Sequence, residues 1–540
     1  MRAVLFVLAA AAAASSAQLD QYWIDRAAFL QEDSATYLGS KIVLTADEQR
    51  VNDLLMVAKR QIYENCFDQM CFPPARHFFD AKADIESSEV FRLIKLMPKG
   101  AALHGHDTGM VGTEWLIKNA TMRSDLWACT KVSTSQPTPP MELDLLKMIF
   151  APSVPAANTC PDGAWISVAT LRTTNPTEVD PWFEHFLSLV TPDPTTRYPN
   201  VNVAWEYFSK LFDVTGGLLS HTPVFRDYFT QTLRELKDDN VQYLELRGLM
   251  LPTYNLDGST LDTMQVATLY AEANAEFSGQ QVPGEWFGSR FIYAPTRNVD
   301  NATVDTYVQT AEALIRAHPN YLAGFDLVGQ EDKGRPLVEF INQMFDLRAQ
   351  VPDVKFFFHA GETNWQGETD LNIIDALLLN TTRIGHGFAI SKHPAAKRLA
   401  AEKGVAIEVN PISNQVLKLV EDLRNHPVST LLAEDFPVVV SCDDPSFWGA
   451  KGLSYDFYQM FMGIASKDAD LRFLKQLAIN SLQYSSMPAD EKTCALEAWA
   501  ILWDRFIASV LGNPAPTNKK NRAACVTIWN NNVKLQTNEL

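Results

Sequence analysis

Positive charge is scarce in this 540-residue chain. Its 46 lysines and arginines stand against 64 aspartates and glutamates, a formal net charge of −18. That balance argues against nucleic acid or an anionic membrane as the main partner. Long apolar runs are also lacking. After the first few residues no stretch stays uncharged over the roughly 20 residues a membrane helix needs. No solenoid-type repeat recurs, and no GxGxxG loop follows the first apolar strand, which argues against an open dinucleotide-binding sheet. Hydrophobic residues at 46% with 20% charged residues argue against global disorder.

At the start of the chain, Met1-Arg2, the apolar AVLFVLAAAAAA and Ser15-Ser16-Ala17 have the three parts of a secretory signal peptide. Cleavage is expected after Ala17, leaving a soluble, extracellular chain with no membrane span. Cysteines number only seven, and that compartment lets them pair. Cys442 sits inside an apolar strand beside Asp443 and reads as a buried free thiol. Cys66, Cys71, Cys129, Cys160, Cys494 and Cys525 remain, and spacing alone leaves several pairings open. Asn119, Asn301 and Asn380 each open an Asn-x-Thr sequon, a potential glycan site in a secreted protein.

Residues 18–97 read as an N-terminal helical segment, with Thr45 and Glu48 spaced as a capping box. The lone His77 in it is assigned no function. From 98 to 512 short apolar runs alternate with helical patterns. The runs are GAALHGH (100–106), VQYLELRG (241–248), SRFIYAP (289–295), LAGFDLVG (322–329), KFFFHAG (355–361), TRIGHGF (382–388), VAIEVNP (405–411) and PVVVSCDD (437–444). Near-continuous apolar strands joined by helices imply a parallel sheet buried on both faces. Eight such units fit a (β/α)8 barrel of the TIM type, with its active site at the carboxyl ends of the strands. Residues 119–181, rich in Pro, Ser and Thr, read as an insertion that a Cys129–Cys160 bridge would close. Residues 513–540 read as a tail, and its Lys519, Lys520 and Arg522 as solvated charges.

Candidate chemistry falls at the strand ends. His104 and His106 flank a glycine, and strand alternation turns both imidazoles to one side. His359 and Asp443 end later strands. Three imidazoles and one carboxylate suit Zn²⁺, with room left for a water molecule. Glu362, one tight turn after His359, is placed for a general acid if burial raises its pKa. His386, between Gly385 and Gly387, reads as a general base or as a fourth ligand. If strand geometry persists through Asp443 and Asp444, only one of them faces the metal and the other points to substrate. Gly329 reads either as a turn residue or as a close backbone approach to a ligand.

At these residues the chain resembles the secreted adenosine deaminase 2 family, also called adenosine deaminase-related growth factors. MPKGAALHGHD, WEYFSKLF, AGFDLVG, FFFHAGETNWQG, TTRIGHGFAISKHP, PISNQVLKLV and SCDDPSFWGAKGLSYDFY all look like family segments, in the family's order. The resemblance implies one Zn²⁺ per subunit on His104, His106, His359 and Asp443. It implies Glu362 as proton donor to N1 of adenine and His386 as the base. Gly329 and Asp444 would contact N3 and N7, while Asp107 and the segment from Trp205 would line the ribose side. The implied reaction converts adenosine or 2′-deoxyadenosine to the inosine product and ammonia. The resemblance also implies that residues 18–97 make a homodimer and that 119–181 bind a cell-surface receptor. Thr296 and Gln330 depart from the pattern, standing where a histidine is expected, and bear on nucleoside affinity and preference. Two alternatives are a non-catalytic secreted mitogen of the same fold and an AMP deaminase-like hydrolase. The latter needs a basic phosphate cradle, and no basic motif stands out near the strand ends.

Overall fold

Eight parallel strands alternate with helices and close on themselves. The computed structural model describes residues 2–67, 71–132 and 143–514 together with Cys525, Thr527 and Trp529, with side chains from residue 18 onward except those of Phe67 and Leu143. Strand β1 (Gly100–His106) pairs with β2 (Val241–Gly248), β2 with β3 (Ser289–Tyr293), and β3 with β4 (Leu322–Phe325). A second parallel set runs β5 (His359–Ala360), β6 (Arg383–His386), β7 (Ala406–Val409) and β8 (Val438–Val440). Parallel bridges join the two sets at both seams, Phe325 with Phe356 and Gly105 with Asp443. The expected (β/α)8 barrel is therefore closed, with no free sheet edge. Every residue of β2 through β8 is buried, which is why these strands read as continuous rather than alternating apolar runs.

The surrounding helices follow from capping and periodicity. Asp300 accepts the Thr303 N–H at 2.9 Å and starts helix Asn301–Ala317, which buries Val304, Val308, Ala311 and Leu314 along one stripe. In the N-terminal segment the capping box is formed. Glu48 N donates to Thr45 Oγ1 at 3.3 Å, and Thr45 N to Glu48 Oε2 at 2.8 Å. Glu48 Oε1 also accepts Lys475 Nζ at 2.5 Å and Trp503 Nε1 at 2.7 Å, tying helix Ala46–Phe67 to the last barrel helices. His77 caps helix Phe78–Ser87, its ring accepting the Phe79 N–H. Helix Arg2–Ala35 includes the expected signal segment, and residues 18–35 are exposed.

The insertion holds a three-stranded antiparallel sheet in the order Leu143–Phe150, Leu126–Val132, Ala164–Ser167. Cys129 and Cys160 are bonded across it. Its apolar content exceeds what the Pro-rich sequence suggests. Leu126, Phe150 and Leu171 pack with Trp182 and Phe183, just past the insertion's end, in a core that continues into Val214, Leu218 and Tyr228 of the following helices. The covalent closure therefore adds to a packed core rather than replacing one. The QPTPP stretch lies outside the described residues. Two further disulfides join Cys66 to Cys71 and Cys494 to Cys525, and Cys442 is a buried free thiol. The Cys494–Cys525 bond and a Trp529 Nε1 hydrogen bond to Trp286 O at 2.8 Å fasten part of the C-terminal segment to the barrel. Lys519, Lys520 and Arg522 lie outside the described residues. Asn119, Asn301 and Asn380 are all exposed. Among the described residues no helix is long and apolar enough to cross a membrane.

Candidate active site

The strand ends bring the candidate residues together. His104 Nε2 and His106 Nε2 lie 3.3 and 3.1 Å from one atom, Asp443 Oδ1, so the two imidazoles of His-Gly-His do reach a common point. One ligating atom from each of His104, His359, His386 and Asp443 falls within 4.8 Å of the others, and His106 makes a second such set with Asp443 and Asp444. His386 is thus as close to the centre as the expected ligands, and four imidazoles surround one carboxylate. His104 Nε2 is buried and makes no hydrogen bond. An unpartnered imidazole nitrogen in a nitrogen-rich set with one carboxylate fits a metal ion.

Beneath the histidines lies a charged layer that sequence reading missed. His104 Nδ1 hydrogen-bonds Glu408 Oε2 at 2.7 Å, and His359 Nδ1 hydrogen-bonds Asp326 Oδ2 at 2.6 Å. A ring that donates through Nδ1 to a carboxylate leaves its Nε2 lone pair for a metal. Arg247 reaches Glu408 at 2.7 Å and Asp326 at 2.9 Å, while Arg383 reaches Glu408 and Glu245, each at 2.6 Å. All five of these charged residues are fully buried. Burial opposes the charge on Glu408, but Arg247, Arg383 and His104 hold its carboxyl well below the usual range. The signal in the sequence was one or two ionisable residues inside each apolar strand, as in VQYLELRG and AIEVNP, where both faces are buried.

Two non-glycine residues of the site turn left-handed, His386 with φ 58° and Asp443 with φ 57°. Each conformation costs roughly 1–2 kcal/mol and is supported only by its surroundings. At Asp443 the turn is held from both sides, its N–H donating to His104 O and its carbonyl accepting His106 N–H, each at 3.2 Å. Strand geometry therefore does not persist through the acidic pair, and Asp443 and Asp444 both line the same cavity. The alternation argument, which would have sent them to opposite faces, fails at that bend.

The electrostatics divide the acids. Burial first, then Asp443 and Glu331, push the Glu362 carboxyl well above its ordinary range. Asp444 is raised by burial and by Asp443, and its Oδ1 has no hydrogen-bond partner. Asp443 goes the other way. Burial opposes its ionisation, but the imidazoles of His104, His106 and His386 gathered around it hold it well below the usual range. Burial lowers His359 to about 4 and pushes His386 well down, so both stay neutral. Asp107 is pushed up to about 6 by burial and accepts the Tyr270 hydroxyl at 3.2 Å. Its place requires Gly248, because a Cβ there would lie 1.9 Å from Asp107 Oδ2.

These groups floor a cavity of about 860 Å³ whose walls include Asp107, Trp205, Thr296, Gly329 and Gln330. Gly329, at φ 105°, needs the freedom of glycine. Trp205 comes from helix Val201–Leu219, which follows the insertion, and Gln330 Nε2 meets Asn202 Oδ1 of that helix at 3.4 Å.

A closed barrel whose strand ends gather imidazoles and carboxylates around one point, with a buried acid of raised pKa beside them, has the architecture of the metal-dependent deaminases. The model of the family "Adenosine deaminase" matches residues 191–499, and that of "Adenosine/AMP deaminase N-terminal" matches 3–94. The insertion falls between the two matches. Adenosine deaminase 2 of Pongo abelii is 42% identical over 512 residues, 94% of this chain and 97% of that protein. An adenosine deaminase of Lutzomyia longipalpis is 43% identical over 492 residues, 90% of this chain and 93% of that protein. The chain belongs to the adenosine deaminase family, within its adenosine deaminase 2 branch, and is a deaminase enzyme. The N6-methyl-AMP deaminase of Arabidopsis thaliana covers 76% of this chain and 98% of its own with a TM-score of 0.52. At 14% identity that likeness shows the shared fold.

Proposed function

We propose that this chain is an extracellular, zinc-dependent enzyme that hydrolyses adenosine and 2′-deoxyadenosine to inosine products and ammonia. The observation that carries the reading is a buried Glu362, its carboxyl raised well above the ordinary range by burial and by Asp443, beside the histidine–Asp443 cluster on the floor of the cavity. His104, His106, His359 and Asp443 would hold one Zn²⁺ per subunit. When bound, the zinc supplies a Lewis acid that lowers the pKa of water toward about 7. His386, neutral and held near Asn410 and Asn414 at 3.4 and 3.3 Å, takes the proton that the attacking water sheds. Glu362 donates its proton to N1 as the water oxygen adds to C6. The C6–N bond then breaks as C6=O forms: the amine leaves as ammonia with the proton returned from His386, and the C6 hydroxyl gives its proton to the Glu362 carboxylate, restoring the acid. A protonated Asp444 donates to N7, an acceptor, and the Gly329 N–H reaches N3. Asp107 and Trp205 border the ribose.

The test is the ultraviolet spectrum of adenosine incubated with purified protein. Absorbance should fall, stop falling after chelation, and resume on adding Zn²⁺. Full turnover by metal-free protein would overturn the zinc assignment, and an unchanged spectrum would overturn the substrate. Turnover of AMP should be far slower. Lys210 and Lys333 do border the cavity, but both are exposed at its rim and Lys210 is paired with Glu206 at 2.9 Å. They make no buried cradle for a phosphate.

Secretion is supported by the character of the first 17 residues and by three disulfides. The exposed sequon asparagines would carry the glycans. A homodimer is supported by Leu19, Tyr22, Trp23, Ile24, Phe29 and Leu30, all exposed on the first helix. The mature chain is expected to sediment at twice its mass at micromolar concentration, and a chain lacking residues 18–35 at its monomer mass with turnover kept. A full-length monomer would count against this. The assignment of 119–181 to a cell-surface receptor rests on the family resemblance.

A further inference from the structure

We infer that Glu331 is the positioning residue for the proton donor, acting on Glu362 through its backbone. The inference rests on the reading of Glu362 as that donor. Glu331 does not border the cavity and is 1% exposed, so it cannot touch substrate. A carboxylate so deeply buried must be fully partnered, and its partners lie in the turn that carries the acid. Oε2 accepts the Gly361 N–H at 3.0 Å, and Oε1 accepts the Glu362 N–H at 2.8 Å. Asn372 Nδ2 donates to Oε2 at 2.7 Å, and Arg297 Nη1 lies 3.5 Å from the same oxygen.

Arg297 completes the clamp. Its Nη2 donates to His359 O at 2.6 Å and to Leu327 O at 2.8 Å. The carbonyl of His359 is thus held by the arginine, and the next two free amides by the glutamate paired with it. Between them Gly361 turns at φ 80°, where a Cβ would lie 2.4 Å from Ile373 Cδ1. With the backbone of residues 359–362 fixed on both sides, the direction in which the Glu362 side chain leaves is fixed as well. Its Oε1 then lies 3.6 Å from His386 Nδ1. Glu331 also stands two residues after Gly329, so one loop both offers Gly329 to the cavity and sets the acid.

A double-mutant cycle separates positioning from mere support. Glu331→Gln keeps the size but turns a donor toward one of the two amides. It should lower kcat on the order of 10- to 100-fold, the cost of misplacing a reacting group by about 1 Å. KM should stay within about twofold and zinc at one per chain. In a Glu362→Gln background the same change should cost less than about twofold further, because there is no proton left to position. Equal fold-losses in both backgrounds, or a single-variant loss explained by missing zinc, would overturn the inference. If Glu331→Gln does not fold, Asn372→Ser releases one partner of the carboxylate. It should give a smaller kcat loss that also vanishes in the Glu362→Gln background, and a loss that persists there would equally refute the inference. A Glu362→Gln enzyme with unchanged kcat would instead remove the donor assignment itself.

Discussion

Glu362→Gln is expected to lower kcat by at least about 10²-fold, the lower end of what general acids contribute, with zinc content unchanged. The carboxyl is fitted to the role by where it sits. Burial disfavours its charge, and Asp443 and Glu331 disfavour it further, so it is protonated where an ordinary glutamate is not. Glutamine preserves the shape and can still donate a hydrogen bond to N1, yet it cannot deliver a proton. The substitution therefore isolates proton transfer from binding, and KM should change far less than kcat. Steady-state kinetics with metal analysis of the same preparation checks this. A loss of rate that tracks a loss of zinc would make Glu362 a structural support for the ligands.

His359→Ala should have the larger effect. It removes an imidazole whose Nδ1 is fixed by Asp326 and whose other nitrogen faces the cluster. Losing a mere supporting partner typically costs metal sites about 10- to 100-fold, and losing the ligand itself should exceed that and leave the chain with little bound zinc. Stability should fall too, because Asp326 would remain buried with one fewer partner. Removing the donor of a buried hydrogen bond typically costs about 1–3 kcal/mol, more when the acceptor is charged, softened here by the Arg247 contact and the His359 and Leu327 amides that Asp326 also accepts. Turnover near normal in a variant without zinc would refute the site.

Much of the barrel was legible because its strands are buried on both faces. GAALHGH and VQYLELRG span the very residues of β1 and β2, and the others bracket the observed strands. The ligand candidates were legible because histidine and aspartate stood where such strands stop. The charged layer was not. Glu245, Asp326 and Glu408 look like ordinary polar breaks until the barrel closes and gives them Arg247 and Arg383. The left-handed bend at Asp443 was equally hidden, since nothing local distinguishes that aspartate from one in a straight strand. Nor could spacing decide the Cys66–Cys71 and Cys494–Cys525 pairs, the second of which depends on how the chain's end returns to a barrel helix.

The charged layer also bears on how this chain reaches its native state. The barrel is two sets of four strands, and most of the layer's pairs cross between them. Arg383 of β6 needs Glu245 of β2, Arg247 of β2 needs Glu408 of β7, and His104 of β1 needs Glu408 as well. Alone, the first set leaves Glu245 without Arg383 and the second leaves Glu408 without Arg247 and His104, so a half-formed barrel would hold under-partnered ions in an apolar interior. Stable half-barrel intermediates are disfavoured by this arrangement, and assembly becomes nearly all-or-none across the seams. A fragment ending before Lys355 should accordingly lack cooperative unfolding in a calorimeter, even with its first four strands complete, and a sharp melting transition in that fragment would show that the charges do not enforce the coupling.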